Sequence, residues 1–179
     1  MPWPFAALWD SALAYERFVK ESTQHCELWT GVYRTAVVPA WAKEQAAALN
    51  RRFRFVVVAE DWCGDASSTV PVVVRFAEAA GMEVRILRRD QHPEVMDRYL
   101  SPTGARSIPV VIVLSDAMEE IGHWGSRPAE LQAFVMEQRR LGRPTQEYYP
   151  EVRRWYAKDR GESTLRELLG VMAGGAGPA

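Results

Sequence analysis

One cysteine in this sequence occupies a position that favours thiol chemistry. Cys63 lies in the run Trp62-Cys63-Gly64-Asp65-Ala66, directly after an apolar segment and directly before a helical pattern. The unpaired N–H groups and the positive dipole end of a helix N-terminus favour a thiolate. The carboxylate of Asp65 in the same turn opposes this, because one anion disfavours a second nearby. The residues predict a nucleophile at Cys63 and leave the direction of its pKa shift open.

Two elements are expected to position this cysteine. Phe55–Ala59 is a short apolar run rich in β-branched residues, which is typical of a strand buried on both faces. The chain from Ala66 onward repeats apolar residues at helical spacing. These residues are Val70, Val73, Val74, Ala77 and Ala80. Trp62 and Gly64 are unusual neighbours for a core cysteine, and an inert buried thiol is the alternative interpretation.

Two ordered motifs resemble those of a known family. Trp62–Ala66 after a hydrophobic strand resembles the thioredoxin motif Trp-Cys-Gly-Pro-Cys, and more closely a bacterial thioredoxin-like group with Trp-Cys-Gly-Asp. Arg106–Val113 resembles the segment in which thioredoxins place a cis-proline facing the cysteine, and Gly122–Gly125 follows as a glycine does in the family. The resemblance covers roughly residues 50–140. It implies an α/β thioredoxin-like fold, with a central mixed β-sheet flanked by helices.

The resemblance also implies roles for individual residues. Cys63 would be the nucleophile, with the N–H groups of Gly64, Asp65 and Ala66 stabilising its thiolate. Ile108 and a cis Pro109 would shape the groove in which a substrate backbone lies. The motif's tryptophan, Trp62, is expected to be partly exposed beside Cys63.

Ala66 is the main departure from the family pattern. A dithiol oxidoreductase needs a resolving thiol at this position to attack the mixed disulfide from within. Alanine excludes this route and leaves a monothiol role, in which an external thiol resolves the mixed disulfide. Val57 replaces the family's buried acid. Glu60 and Asp61 are candidates for a proton relay, with solvated loop carboxylates as the alternative.

The remaining candidate ligands are few. Cys26 is the only other thiol, and it could resolve Cys63 only if its helix packs over the motif with the two Cα atoms within about 7 Å. A plain helix cysteine is the alternative. His25, His92 and His123 are far apart in sequence, so we expect no metal site and no cofactor.

Composition limits the function classes. With 179 residues and 47% hydrophobic content, a single domain over residues 1–173 is expected. The net charge of −1 gives no electrostatic case for nucleic acid or an anionic membrane. No apolar run approaches the roughly 20 residues of a membrane span, and Met1–Pro4 lacks signal-peptide features. A cytoplasmic protein is expected, and its oligomeric state is left open.

The N-terminal 50 residues predict a helical extension. Helices are expected over residues 4–21, 25–37 and 41–50. They would either cover one side of the sheet or shape a partner-binding surface near Cys63.

The remaining elements follow the thioredoxin order. A helix from 66 onward contains Pro71, which should kink it. A strand is expected over 83–87 and a hairpin over 110–124. The other helices are expected from an Asp90 cap to about 100, after a Ser126 cap, over 145–158 with a break or bend near Pro150, and after a Thr164–Glu167 capping box. C-terminal helices would fill 145–173, and 174–179 is expected to be disordered.

These observations support two hypotheses. The leading one is a monothiol thiol–disulfide oxidoreductase acting on protein disulfides or low-molecular-weight thiols. The alternative is a non-catalytic binding module whose groove holds a partner while Cys63 does no turnover. An alkylation midpoint of Cys63 at or above about pH 8.5, the ordinary cysteine pKa, would favour the module.

Overall fold

A four-stranded mixed sheet forms the centre of the molecule. It is described by a computed structural model covering residues 3–175. The strands are β1 Phe53–Ala59, β2 Glu83–Arg88, β3 Val110–Ser115 and β4 Glu120–Gly125, in the spatial order β2-β1-β3-β4. β1 pairs with β2 in parallel and with β3 antiparallel, and β3 and β4 are antiparallel. The apolar run Phe55–Ala59 is fully buried, as its composition predicts for a central strand.

Helices precede, connect and follow the strands of this sheet along the chain. Those of residues 3–175 are α1 Phe5–Ser11, α2 Tyr15–Glu21, α3 Cys26–Thr35, α4 Ala40–Ala48, α5 Gly64–Ala79, α6 Pro93–Arg98, α7 Ala129–Arg140, α8 Thr145–Asp159 and α9 Glu162–Met172. α5 connects β1 to the parallel strand β2, as a βαβ unit requires. The architecture confirms the predicted α/β thioredoxin-like fold.

The N-terminal helices pack against the centre of the fold. α3 packs against α5, and α4 contacts both α5 and α9. α1 and α2 lie against the edge strand β2. α9 in turn packs on β4. The extension therefore covers α5 and one edge of the sheet.

The prediction of one continuous helix over residues 4–21 is wrong. The structure has two short helices, because Leu13 between them pairs with Ile86 of β2. The Leu13 N–H donates to the Ile86 carbonyl at 2.8 Å, and the Ile86 N–H donates back at 2.8 Å. An edge strand otherwise leaves such groups unpaired, so the sheet edge competes with the helix for the Leu13 backbone.

Three predicted helix caps are also wrong. His92, not Asp90, precedes α6, and residues 89–91 form a short 3₁₀ turn. α7 begins after Pro128 without a side-chain cap from Ser126. Glu167 does not complete a capping box, because α9 already begins at Glu162.

Glu167 instead caps a different helix. One of its carboxylate oxygens accepts from the Ala129 N–H at the start of α7 at 2.8 Å, and the other accepts from Trp124 Nε1 at 2.6 Å. Long-range contacts thus replace the local caps that the sequence suggests. α8 runs without interruption through Pro150, so the expected break there is absent. α5 likewise contains Pro71 within one continuous helix.

The hydrophobic core has two parts. The larger one surrounds the sheet, and the smaller one lies between α7 and α8 and consists of Leu131, Val135, Tyr148 and Val152. Within residues 3–175, no helix is long and apolar enough to cross a membrane. Of the predicted C-terminal tail, residues 176–179 lie outside the described residues.

Candidate active site

Cys63 lies at the junction of β1 and α5, as the sequence predicts. It is the N-cap residue of α5, and its Sγ accepts the N–H of Ala66 at 3.4 Å. On its other side, Sγ lies 3.6 Å from the carbonyl oxygen of Ile108, the residue before Pro109. Only 8% of the residue is exposed. The thiol is therefore held between the first turn of α5 and the segment that leads into β3.

The structure settles the direction of the pKa shift at this thiol. Burial raises the pKa of Cys63 to about 11, and the negative charge of Asp65 adds to the increase. The N–H groups of Ala66 and Asp65 and the charge of Arg127 act in the opposite direction but do not offset it. Cys63 is therefore a protonated thiol at neutral pH, and the helix N-terminus does not make it a thiolate.

Asp65 is bound to residues far from it in sequence. Its carboxylate accepts two charge-assisted hydrogen bonds from Arg127, Nε to Oδ1 at 3.0 Å and Nη2 to Oδ2 at 2.7 Å. The Tyr156 hydroxyl donates to Oδ1 at 2.8 Å. Asp65 is 5% exposed, and the Arg127 side chain is 15% exposed. This buried pair with good geometry places both charges near the thiol, where Asp65 raises and Arg127 lowers the pKa of Cys63.

Neutralising Asp65 should make Cys63 more acidic. In Asp65→Asn, the carboxylate charge is lost while Arg127 stays, so we expect the alkylation midpoint of Cys63 to fall by about one pH unit. Iodoacetamide rates measured from about pH 8 to pH 12 would show this in a Cys26→Ser background, which removes the exposed second thiol. Glu137→Gln, an exposed carboxylate on α7, is the control. An unchanged or higher midpoint in Asp65→Asn would contradict the role given to its charge.

Tyr149 of α8 packs against Gly64 of the motif. A Cβ atom added to Gly64 would overlap the Tyr149 hydroxyl, so only glycine permits this close approach. Burial raises the pKa of Tyr149 to about 12, and the charges of Asp65 and Cys63 contribute to the increase. The C-terminal helix α8 thus supplies both Tyr149 and Tyr156 to the surroundings of Cys63.

The two candidate relay residues are tied into the scaffold. Glu60 and Asp61 are 5% and 7% exposed, so the alternative that they are solvated loop carboxylates is wrong. Glu60 accepts from Arg88 at 3.3 Å and from the Asp90 N–H at 2.9 Å. These contacts join the end of β1 to the end of β2.

Asp61 connects the motif to the N-terminal extension. Its Oδ2 accepts the N–H groups of Thr23 and Gln24 at 2.7 and 3.3 Å, and its carbonyl accepts Trp29 Nε1 at 3.2 Å. Both carboxylates are therefore bound to partners other than the thiol. This explains their burial without a proton relay.

Trp62 and the segment before β3 form the sides of the site. Trp62 is 38% exposed, and the Arg89 guanidinium lies over its ring at 4.6 Å. The Ile108–Pro109 peptide bond is cis. Ile108 lines the site, whereas Pro109 is buried behind it. The Pro109 carbonyl lies against Gly125, where a Cβ atom would overlap it.

Cys26 is not bonded to Cys63. Both cysteines are free, and the exposed Cys26 thiol donates to the Ser22 carbonyl at 3.3 Å within its own segment. The neighbouring His25 does line the site, so the start of α3 reaches it. Among the described residues, no group of three or more His, Cys, Asp or Glu side chains is arranged to hold a metal ion.

Cys63 faces an open cleft of about 550 Å³. Its lining includes the motif residues, Arg106–Ile108 before β3, and Arg139, Thr145 and Tyr149 from α7 and α8. The volume lies within the range of small-molecule sites. No sequence motif indicates that residues of α7 and α8 line this cleft.

Two solved structures have a fold similar to that of this chain. A 1.5 Å crystal structure of a protein of unknown function from Pseudomonas aeruginosa matches with a TM-score of 0.74 and 18% identity, covering 94% of this chain and 96% of that one. An HIV epitope-scaffold matches with a TM-score of 0.72 and 18% identity, covering 96% and 98% of the two chains. At this identity the matches establish the fold alone. No curated protein matches the chain.

A family model gives a more specific match. The model described as thioredoxin matches residues 12–142, which include both sequence motifs and all four strands. The matched region contains the buried strand, the cysteine at the start of the next helix and the segment facing that cysteine. The chain belongs to the thioredoxin family.

Proposed function

We propose that this protein carries out thiol–disulfide exchange with Cys63 as its single reacting sulfur. The Cys63 thiolate attacks one sulfur of a disulfide, forms a mixed disulfide and releases the other half as a thiolate, which takes up the proton that Cys63 loses. The thiolate of an external thiol then attacks the substrate-derived sulfur of the mixed disulfide. This second step forms a new disulfide and restores Cys63.

The placement of Sγ carries this proposal. Cys63 lines the cleft, and its sulfur lies between the Ala66 N–H and the Ile108 carbonyl. Alanine at position 66 and the separate bonding of Cys26 leave the mixed disulfide without an internal resolving thiol. The external thiol is therefore part of the proposed mechanism.

The raised pKa slows this reaction without forbidding it. At pH 7 a thiol whose pKa is about 11 is about 0.01% thiolate, against about 3% for a free cysteine. Thiolate nucleophilicity rises with pKa and recovers about tenfold of this difference. The net reduction is about 20- to 30-fold relative to a free cysteine, which the positioning of a bound substrate can offset.

The second candidate function is a binding module. The raised pKa of Cys63 favours it, because a module needs no thiolate. In this case the same cleft holds a partner, and Cys63 only fills space in its lining.

We also propose a cytoplasmic location, because the exposed free thiol of Cys26 suits a reducing compartment.

A turnover assay separates the two functions. The Cys26→Ser protein should accelerate exchange between 2-hydroxyethyl disulfide and a monothiol such as 2-mercaptoethylamine, and intact-mass measurement should show a mixed disulfide at Cys63. The additional change Cys63→Ser should abolish both signals. Ser67→Ala, at a buried helix position one turn further along α5, is the matched control. A Cys63 that stays unmodified, with no acceleration, would contradict thiol–disulfide exchange and favour the binding module.

A further inference from the structure

The cleft around Cys63 is lined by arginines. Arg89, Arg106, Arg127 and Arg139 line it, and the only acidic residue among its lining residues is Asp65. Asp65 is buried and bound by Arg127 and Tyr156, so it presents no free carboxylate to the cleft. A ligand entering the cleft therefore meets guanidinium groups on several sides.

Aspartates that pair with two of these arginines reduce the net positive charge of the cleft but do not cancel it. Asp90 pairs with Arg89 at 2.9 Å, and Asp97 pairs with Arg106 at 2.6 Å. Neither aspartate lines the cleft. With Asp65 counted, three carboxylates stand against four arginines.

Arg139 is the arginine available to a ligand. It lies in the last turn of α7 and is exposed, and within residues 3–175 it has no carboxylate partner. The neighbouring Arg140, by contrast, is bound by Glu137 at 2.7 Å. The Arg139 guanidinium lies near the Tyr148 hydroxyl. A guanidinium without a carboxylate partner can bind a ligand carboxylate through two parallel N–H bonds.

We infer that the cleft accepts a small anionic thiol or disulfide, one that carries a carboxylate and places its sulfur against Cys63. This inference rests on the proposed function and adds the charge class of its substrate. The cleft volume of about 550 Å³ suits a small molecule. The carboxylate would bind Arg139, and the exposed Trp62 ring would contact the aliphatic part of the ligand.

The positive walls also favour the exchange step itself. During attack, the negative charge of the thiolate spreads over three sulfur atoms. Cationic groups in a cleft with low-dielectric walls stabilise such a charge and raise the local concentration of an anionic substrate. Both effects weaken as salt screens the arginines.

Three probes with the same aliphatic skeleton test this charge selectivity. They are 3,3′-dithiodipropionate, a dianion; 2-hydroxyethyl disulfide, which is neutral; and cystamine, a dication. The rate of mixed-disulfide formation at Cys63 is measured for each in the Cys26→Ser protein and in the same protein with Arg139→Gln. Comparing the two proteins for one probe cancels the intrinsic reactivity of that probe.

Arg139→Gln should slow the dianion about fivefold, leave the neutral probe unchanged and speed the dication, as expected for the loss of one charge at about 4 Å from the ligand carboxylate in a solvent-filled cleft. Arg140→Gln, one position further on the same helix, should change none of the three rates. Raising NaCl from 0.02 to 0.5 M should remove most of the difference between the two proteins for each charged probe. Equal responses of all three probes to Arg139→Gln would overturn the inference while leaving the proposed function standing.

A binding measurement separates failure of the inference from failure of the proposed function. In the Cys26→Ser/Cys63→Ser protein, the side-chain NMR signals of Arg139 should shift with 3,3′-dithiodipropionate and not with cystamine. If no probe reacts with Cys63 but this shift is present, the proposed exchange is wrong and the anion preference holds. Absence of the shift would overturn the inference.

Discussion

Replacing Ala66 with cysteine should give a protein that reduces insulin disulfides at least about a hundredfold faster than the natural chain, when a thioredoxin reductase or dithiothreitol supplies electrons. The new thiol would lie one helical turn from Cys63, and the Ala66 N–H is already 3.4 Å from the Cys63 sulfur. An intramolecular thiol acts at an effective concentration far above that of any external thiol. The mixed disulfide at Cys63 would then be resolved from within.

The controls for this change test the monothiol mechanism itself. Ala66→Ser introduces a side chain of similar size at the same buried position without a thiol, so it should stay as slow as the natural chain. Comparable insulin reduction by the natural chain and by Cys26→Ser, lost only in Cys63→Ser, would show that no internal resolving thiol is needed. Loss in Cys26→Ser as well would make Cys26 the resolving thiol.

Arg127→Gln should lower the free energy of unfolding by about 3–5 kcal/mol, because it leaves the Asp65 carboxylate buried without its cation. Asp65 would keep only the Tyr156 hydroxyl as a strong partner. Such a loss is a large share of the 5–15 kcal/mol that stabilises a typical domain. Urea unfolding followed by tryptophan fluorescence would measure it.

The double variant identifies the cause of this loss. Asp65→Asn/Arg127→Gln removes both charges and keeps side chains of similar shape, so it should be more stable than Arg127→Gln alone. Arg140→Gln, which breaks an exposed pair with Glu137 on α7, should leave the unfolding midpoint unchanged. A double variant as unstable as Arg127→Gln would indicate that lost packing, rather than the unpaired Asp65 charge, is responsible.

The half of the site that lies close together in the chain could be predicted from the sequence. The apolar run before Cys63 and the helical pattern after it place the thiol at a strand–helix junction, and the structure has it there. The departure at Ala66 is equally visible in the sequence. Local patterns suffice here because neighbouring residues determine the end of a strand and the start of a helix.

The other half of the site depends on contacts that no local pattern records. Tyr149 and Tyr156 come from α8, and Arg127 comes from the segment before α7. The two residues that bond to Asp65 are distant in sequence, Arg127 by 62 positions and Tyr156 by 91. One signal could have pointed to them. Asp65 lies in the first turn of a helix whose residues are mostly buried, and a buried carboxylate requires a cationic or hydroxyl partner elsewhere in the chain.

Competition between local and distant partners also explains the failed caps. The sequence offers Ser126 and Thr164 as caps, but Glu167 reaches the start of α7 and Trp124 at the same time. The break in the first predicted helix has the same origin, since Leu13 completes hydrogen bonds at a sheet edge. Periodicity reveals which face of a helix is buried but not which distant group will bind its end.

The long separation between Asp65 and Tyr156 has a consequence for synthesis on the ribosome. The chain emerges at about 5–20 residues per second, so the 91 positions between the two residues take about 5–20 s to translate. During this interval the nascent chain already contains Cys63 but not the helix that covers Gly64. Gly64, next to the thiol, therefore stays uncovered until α8 leaves the ribosome.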